Sequence, residues 1–381
     1  DAIPYLPWVV DDASNWDGRF TQAGAMALKA RILLFGASPL FNDDQPYLEG
    51  QASTQKMTWF GSYDPNMWER AAQAAEDLLD KVESQGGYGL VNTGNPRQDF
   101  KDSYYKRGNG EILISTRVRY QSPGWWSHQY YFYQSAGNYG TACPTKEYVD
   151  MFPMADGTPI NEDGSGWDEN DPWANRDPRL YETVLVNGDD YQGRTAELWI
   201  GGRERKNPNF KGTISGFGLR KFLLERNWAT AMGSVVHWPY LRLGEIYLSY
   251  AEALNEINGG PTPEAYEAVN MIRNRAGLSN LPSGLTQQEF REEVLRERAC
   301  EFGYEEVRWF DIIRWKRADL FQQTLHGVNT NQEEGGSFTY EVFELPSRYW
   351  QDNWSPKWYL SAFPPDEINK NYGLVQNPGW E

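Results

Sequence analysis

Two stretches in the first quarter of the chain carry apolar residues at the three- and four-residue steps of a helix. The first, AGAMALKARILLFG, follows Thr21, is rich in alanine, and is closed by Pro39. In the second, Asp64 is a candidate N-cap, Pro65 takes the first helical position, and Gly86 ends the helix. The apolar stripe of this second helix consists of Trp68, Ala71, Ala72, Ala75, Leu78, Leu79 and Val82. Both stretches are therefore predicted to pack on a core.

Helical order returns over residues 238–315. Thr262 is expected to cap one helix, which Gly277 stops, and Thr286 with Glu289 forms a capping box for the next. Short turns between helices, with alanine at the contacts, favour tetratricopeptide-like helix pairs, although the chain shows no strict repeat of that type. The predicted fold is mainly α.

Between residues 88 and 235 the helical periodicity fails, and Gly, Pro, Asn, Asp and aromatic residues dominate. EILISTRVRY at 111–120 is a predicted strand, one of few short strands expected. Long irregular loops in a helical protein tend to carry function. The predicted parts are a helical scaffold at 19–84 and 237–331, a loop-rich ligand-binding excursion at 85–236 and a wrapping tail at 332–381.

Composition narrows the classes of partner. The net charge of −17 argues against nucleic acid, because phosphate neutralisation needs clustered lysine and arginine, and against electrostatic docking onto anionic lipid. Mean hydropathy is low, at −0.72, yet 15% of the residues are aromatic, with 17 Trp and 23 Tyr. Such rings often line carbohydrate or peptide surfaces, although most of them simply pack. The two cysteines, Cys143 and Cys300, have no zinc-site spacing.

An aromatic run, GWWSHQYYFY at 124–133, follows the predicted strand. Flat rings stack on the apolar C–H face of a sugar ring while polar neighbours bond its hydroxyls, so the run is a candidate glycan surface. Its candidate ligand-binding residues are Trp125, Trp126, His128 and Tyr131. The alternative is that alternate residues of the run form a core strand.

The sequence gives little support for a catalytic site or a metal site. Glu297 and Glu301 lie one helical turn apart and could serve acid–base chemistry, but arginines stand beside them, and ion pairs that orient helices explain the pattern better. Residues 161–169 imitate the first half of a calcium loop, yet Pro172 stands where a bidentate glutamate is required. Nucleophile-elbow, zinc-protease and phosphate-loop motifs are absent from the sequence. We expect no enzyme activity and no cofactor, with calcium on other ligands left open.

The helical region also carries a specific combination of motifs, which continues upstream and at the C-terminus. They are Arg242, Glu245, Ala251-Glu252-Ala253, Asn255, Asn270, Arg273, Arg275-Ala276-Gly277, Glu297-Arg298, Glu301-Phe302, Arg308-Trp309-Phe310-Asp311, Arg314-Trp315, Asp156-Gly157, Arg176-Asp177-Pro178-Arg179-Leu180 and Gln376-Asn377-Pro378-Gly379. This combination resembles the SusD/RagB-like proteins, which are outer-membrane nutrient-binding lipoproteins. Glu306 departs from the pattern, since the family usually has glycine there.

The resemblance implies one SusD-like domain over 1–381 that lacks its N-terminal part. It implies non-catalytic capture of an oligosaccharide or polysaccharide at the cell surface and delivery to a SusC-like TonB-dependent transporter in the outer membrane. Membrane association would come only through an N-terminal lipid anchor outside this sequence. By the same resemblance Cys143, Arg220, Trp238 and Tyr240 are candidate ligand-binding residues, although a structural ion pair is an alternative for Arg220. A peptide cargo as in the RagB branch, an α-rich glycoside hydrolase and a pure protein–protein scaffold stay as alternatives.

Overall fold

The computed structural model describes residues 2–12, 16, 18–116, 142–205, 212–225 and 237–381. This part of the chain is mainly helical, as predicted. Its α-helices are α1 (Gln22–Ala37), α2 (Gln51–Thr54), α3 (Asn66–Gln85), α4 (Pro96–Tyr105), α5 (Lys146–Val149), α6 (Pro178–Thr183), α7 (Leu243–Asn258), α8 (Pro263–Arg275), α9 (Gln287–Phe302), α10 (Val307–Arg314), α11 (Ala318–Gln322), α12 (Tyr349–Asp352) and α13 (Pro365–Ile368). Short 3₁₀ helices cover Ile3–Tyr5, Arg203–Arg205 and Pro356–Tyr359.

Short antiparallel strand pairs complete the described fold. The strands are β1 (Ile112–Thr116), β2 (Val184–Leu185), β3 (Asp190–Tyr191), β4 (Arg194–Thr195), β5 (Gly218–Leu219), β6 (Trp238–Arg242), β7 (His326–Gln332) and β8 (Phe338–Glu344). β1 pairs with β6, β2 with β5, β3 with β4, and β7 with β8. None of the described helices is long and apolar enough to cross a bilayer.

The helix α7 lies at the centre of the scaffold, against α1, α3, α8 and α9. Buried alanines such as Ala27, Ala75 and Ala251 lie on the packed faces of α1, α3 and α7, where small side chains let helix backbones approach closely. The predicted caps at Thr262 and Thr286 are confirmed, and Thr21, which was not predicted as a cap, caps α1. The Thr21 and Thr262 side chains accept hydrogen bonds from backbone amides in the first turns of α1 and α8. The capping box at the start of α9 is formed as expected.

Several elements differ from the prediction. α3 begins at Asn66, one residue later than expected, although the Asp64 carboxylate still accepts from the Asn66 amide at 3.0 Å. α4 was not predicted, although Asn95 caps it and Pro96 opens it. Residues 238–242 were expected to be helical and instead form β6, because they pair with β1 before α7 begins. The hairpin of β7 and β8 lies across the predicted boundary between scaffold and tail.

The tail returns to the body through aromatic contacts. Trp354 stacks on Phe321 of α11 with ring centroids 4.5 Å apart. At the C-terminus, the indole N–H of Trp380 donates to the backbone carbonyl of Lys357, and the Glu381 carboxylate accepts from the backbone amide of Gln51 at 3.1 Å.

Candidate ligand-binding site

The aromatic run with Trp125, Trp126, His128 and Tyr131 lies outside the described residues. The described chain stops at Thr116, at the end of β1, and resumes at residue 142. The part that these four residues take in ligand binding therefore stays a prediction.

Trp238 lies where the chain departs toward this run, because it pairs with Thr116 in the ladder of β1 and β6. Its indole ring stacks on buried Phe222, with centroids 4.8 Å apart and an interplanar angle of 23°. Phe222 in turn packs with Phe100 and Tyr104 in the core. The stack fixes the orientation of the half-buried Trp238 ring.

Tyr240, two residues further along β6, is 43% exposed. The Arg31 guanidinium lies 4.8 Å from the centre of the Tyr240 ring and donates to the Tyr240 carbonyl at 2.7 Å. Tyr240 lines a cleft of about 390 Å³ together with Ile32 and Phe310, whose side chains are also exposed. The described lining of this cleft includes none of Cys143, Arg220 and Trp238, and the part that Tyr240 takes in ligand binding stays a prediction.

The Arg220 guanidinium is turned into the protein. One of its nitrogens, Nη1, donates to the Asp189 carboxylate at 2.6 Å and to the Tyr181 carbonyl at 3.1 Å. The other, Nη2, donates to Glu225. The side chain is only 6% exposed. These contacts are those of the ion-pair alternative, and a contact between Arg220 and a ligand stays a prediction.

Cys143 is half-buried and lies near Tyr304. Burial raises the pKa of the Tyr304 hydroxyl, and the neighbouring Cys143 adds to that rise. The structure therefore places Cys143 beside a tyrosine that remains protonated in neutral solution.

The acidic pair Glu297 and Glu301 belongs to a buried network of ion pairs. Glu301 accepts from Arg242 at 3.0 Å and from Arg179 at 3.2 Å, and Arg242 also donates to Glu111 at 2.6 Å. The network contains equal numbers of cations and carboxylates, each at most 5% exposed: Arg179, Arg242, Arg273, Arg275 and Lys221 with Asp177, Glu111, Glu297, Glu301 and Glu305.

The electrostatics of this network keep its carboxylates ionised. Burial alone would raise the pKa of Glu301, but Arg275, Arg242 and Arg179 hold that pKa well below its usual value. In the same way Arg179 and Arg273 outweigh burial and lower the pKa of Glu297. An acid–base catalyst needs a proton to give or accept near neutral pH and access to substrate, and this pair has neither. The pair orients helices, as the alternative interpretation expected.

A second buried network joins α1, α7, α9 and α10. Arg314 donates to Asp311 at 2.9 Å and to Glu252 at 2.7 Å. Arg298 donates to Asp311 at 2.8 Å. Glu245, which is also buried, accepts from Arg31 at 2.8 Å. The two networks hold most of the charged residues that carry the family resemblance.

The loop that imitates a calcium site is exposed along most of 161–169, including Asp163 and Glu169. Within the described residues, no group of three or more His, Cys, Asp or Glu side chains is arranged to hold a metal ion. Calcium binding elsewhere stays an untested prediction.

A smaller pocket of about 230 Å³ lies along β1, at one edge of its ladder with β6, and we call it the basic pocket. Its basic side chains are Arg19, Arg107 and His237, and Val9, the ring of Tyr88 and Ile112 form an apolar wall. Sequence reasoning did not single out these basic side chains, because they come from three separated segments of the chain. The local sequence signal was a turn, which the glycine next to each arginine (Gly18 before Arg19, Gly108 after Arg107) favours.

Comparison with known proteins supports the resemblance. A model of the SusD family matches residues 111–380. A SusD-like protein of Formosa agariphila is 42% identical over 149 residues, which make up 37% of this chain and 25% of that protein. The match thus spans about a quarter of the length of that relative.

Two structures from Bacteroides fragilis show the same fold. A SusD-like protein superposes with a TM-score of 0.73 at 25% identity, covering 99% of this chain and 68% of the other. A second, named a SusD-like carbohydrate binding protein, gives a TM-score of 0.62 at 20% identity and covers 86% of this chain and 58% of the other. Because the family model matches well over half of the chain, the chain belongs to the SusD family.

Proposed function

We propose that this protein captures an oligosaccharide or polysaccharide at the cell surface and delivers it uncleaved to a SusC-like TonB-dependent transporter of the outer membrane. The observation that carries the proposal is the SusD family match over residues 111–380. A structural neighbour that is named a carbohydrate binding protein adds support. Membrane attachment would come from a lipid anchor on a segment upstream of this sequence.

The aromatic run at 124–133 is the proposed sugar platform. Trp238 supports this placement, because it pairs with Thr116 at the base of the segment that contains the run. A ring fixed by stacking loses little conformational freedom when a sugar packs against it, which favours binding. Affinity for each sugar ring is expected to be modest, since stacking on exposed rings buries limited area.

Capture without cleavage is supported by the state of the strongest acidic pair. Glu297 and Glu301 accept hydrogen bonds from buried arginines and are at most 3% exposed. A glycoside hydrolase needs two carboxyl groups that flank the scissile bond, one of them protonated. Neither condition holds at this pair.

The test is calorimetric titration of the purified protein with a panel of soluble polysaccharides, each mixture also being assayed for new reducing ends. Trp126→Ala removes a ring of the proposed platform. Trp167→Ala is the matched control, because Trp167 is 37% exposed on the loop at 161–169, away from the run in sequence. We expect saturable binding without cleavage that Trp126→Ala abolishes and Trp167→Ala leaves unchanged.

Other outcomes would overturn the proposal in part or in whole. New reducing ends would make the protein a hydrolase. Saturable binding of a protein digest with no response to any polysaccharide would make the cargo peptide. Glycan binding that survives Trp126→Ala would keep the function and move the site away from this ring.

A further inference from the structure

The basic pocket stands out against the charge of the whole chain. The sequence has 53 acidic and 36 basic residues, for a net charge of −17. Among the described residues that line the pocket there are nevertheless two arginines and one histidine, and no aspartate or glutamate. A concave surface lined by one sign of charge focuses the local potential, so this pocket attracts anions although the molecule as a whole repels them.

Arg19 is the cation best placed to meet a ligand. Its side chain is exposed, and its guanidinium carbon lies 3.6 Å from the centre of the Trp16 ring. Stacking on an indole holds the guanidinium in place, and this group is weakly hydrated for a cation. Among the described residues Arg19 forms no salt bridge, in contrast to the buried arginines of the scaffold. Arg107 and His237 also make contacts within the protein; Arg107 adds a second positive charge to the lining and His237 adds an imidazole.

The position of the pocket connects it to the proposed glycan surface. Ser115, one residue before the end of β1, lines the pocket, and so does His237, which directly precedes Trp238. In sequence, the aromatic run at 124–133 follows β1. Trp16 beside the pocket is itself 45% exposed. Aromatic surface and cationic groups therefore meet at one edge of the ladder.

We propose that the basic pocket binds an anionic substituent, a carboxylate or a sulfate ester, of the captured glycan. The proposal rests on the proposed function and specifies its substrate class. The planar donor fork of arginine matches the paired oxygens of either group. The apolar wall formed by Val9, Tyr88 and Ile112 suits the C–H face of the sugar that carries the anion. A neutral glycan would offer the exposed Arg19 guanidinium no opposite charge.

The experiment uses polysaccharides in matched pairs that differ only in charge. One pair is a polyuronate and its carboxyl-reduced form, and the other is a sulfated galactan and its desulfated form. Each is titrated calorimetrically into the wild-type protein, Arg19→Gln, Arg19→Lys and Arg70→Gln. Arg70 is exposed on α3, outside the lining of the basic pocket, so Arg70→Gln makes the same change of net charge elsewhere.

We expect at least one charged polysaccharide to bind at least tenfold more tightly than its neutralised form. That difference should vanish in Arg19→Gln, fall partly in Arg19→Lys, which keeps the charge without the fork, and persist in Arg70→Gln. Binding should also weaken as salt rises from about 0.05 M to about 0.5 M. The pair that shows the difference identifies carboxylate or sulfate.

Two results would overturn the inference and are distinguishable from each other. Equal affinity within both pairs, preference for the neutral members, or an unchanged difference in Arg19→Gln would refute the anionic subsite while leaving glycan capture intact. Absence of binding to any member of either pair and to every glycan of the wider panel would remove the proposed function and this inference together. Equal thermal midpoints of the four proteins would show that loss of binding is not loss of fold.

Discussion

The buried ionic networks and the edge of the β1–β6 ladder use charge in opposite ways. In the network around Glu301, every cation has a carboxylate within hydrogen-bonding or ion-pair distance, and water is excluded. At the ladder edge, Arg19 is exposed and rests on an indole ring, and the pocket that it lines has no described carboxylate. The first arrangement is balanced in charge and buried, and the second is open to an anion.

The same comparison shows which part of the molecule the family motifs describe. Arg179, Arg242, Arg275, Glu297 and Glu301 all belong to the motifs that carry the resemblance, and all are buried in one network. Removing one member of such a network leaves an uncompensated charge, so its residues constrain one another. The motifs therefore identify the scaffold, while the residues proposed to bind ligand lie outside them.

The largest expected effect is a loss of stability on substitution within the buried network around Glu301. Glu301→Gln removes a negative charge that faces Arg179, Arg242 and Arg275. Breaking a buried ion pair by removing one partner typically lowers the free energy of unfolding by about 3–5 kcal/mol. Urea denaturation should show a lower midpoint with an unchanged slope, or no folded protein at all.

The matched control is Glu267→Gln, the same change on an exposed position of α8. Surface substitutions usually alter the free energy of unfolding by no more than about 0.5 kcal/mol. If the two variants were equally stable, the network would contribute little beyond packing, and the contrast drawn between the two regions would fail.

A smaller loss of folding stability is expected at acidic pH. Glu297, Glu301 and Glu305 have folded-state pKa values below their usual 4.5, because the neighbouring cations outweigh burial. Their stabilisation is therefore complete above about pH 4.5 and is lost as pH falls through the lowered pKa values, where the unfolded chain binds more protons. Urea midpoints measured downward from neutral pH should fall steeply below that point.

Added salt distinguishes the buried ion pairs from exposed charges in this pH experiment. Buried pairs are screened much less than exposed ones, so the acid-dependent loss should persist in about 0.5 M NaCl. Over the same range of salt, glycan binding at the basic pocket should weaken. If salt affected the acid transition and glycan binding equally, the contrast between the buried ion pairs around Glu301 and the exposed Arg19 would be contradicted.

The sequence predicted the scaffold well because its signals are local. Apolar stripes and caps such as Thr262 and Thr286 depend on residues within one or two helical turns, and the structure confirms them. The interleaving of Glu297 and Glu301 with arginines also favoured ion pairs, which the structure shows.

The missed elements depend on contacts that are distant in the chain. β6 is a strand because Trp238 and Arg242 pair with Thr116 and Ile112, and local periodicity does not show such a partner. The polar sequence of β7 gives no alternating pattern, and it is held by β8 and by the Ser215 carbonyl. The three basic side chains of the basic pocket likewise come from separate segments, so composition and motifs did not indicate it.

The smallest expected effect concerns Glu306, where the family usually has glycine. Glu306 has φ = +64°, in the left-handed region, directly before α10. A residue with a Cβ pays roughly 1–2 kcal/mol there, and glycine loses part of that gain through its greater freedom in the unfolded chain. Glu306→Gly should therefore raise the free energy of unfolding by about 1 kcal/mol or less, measured by urea denaturation. Glu306→Ala, which keeps the Cβ, should give no such gain, and glycan affinity should not change in either variant. If the alanine form were as stable as the glycine form, the glycine of the family pattern would not be explained by backbone conformation.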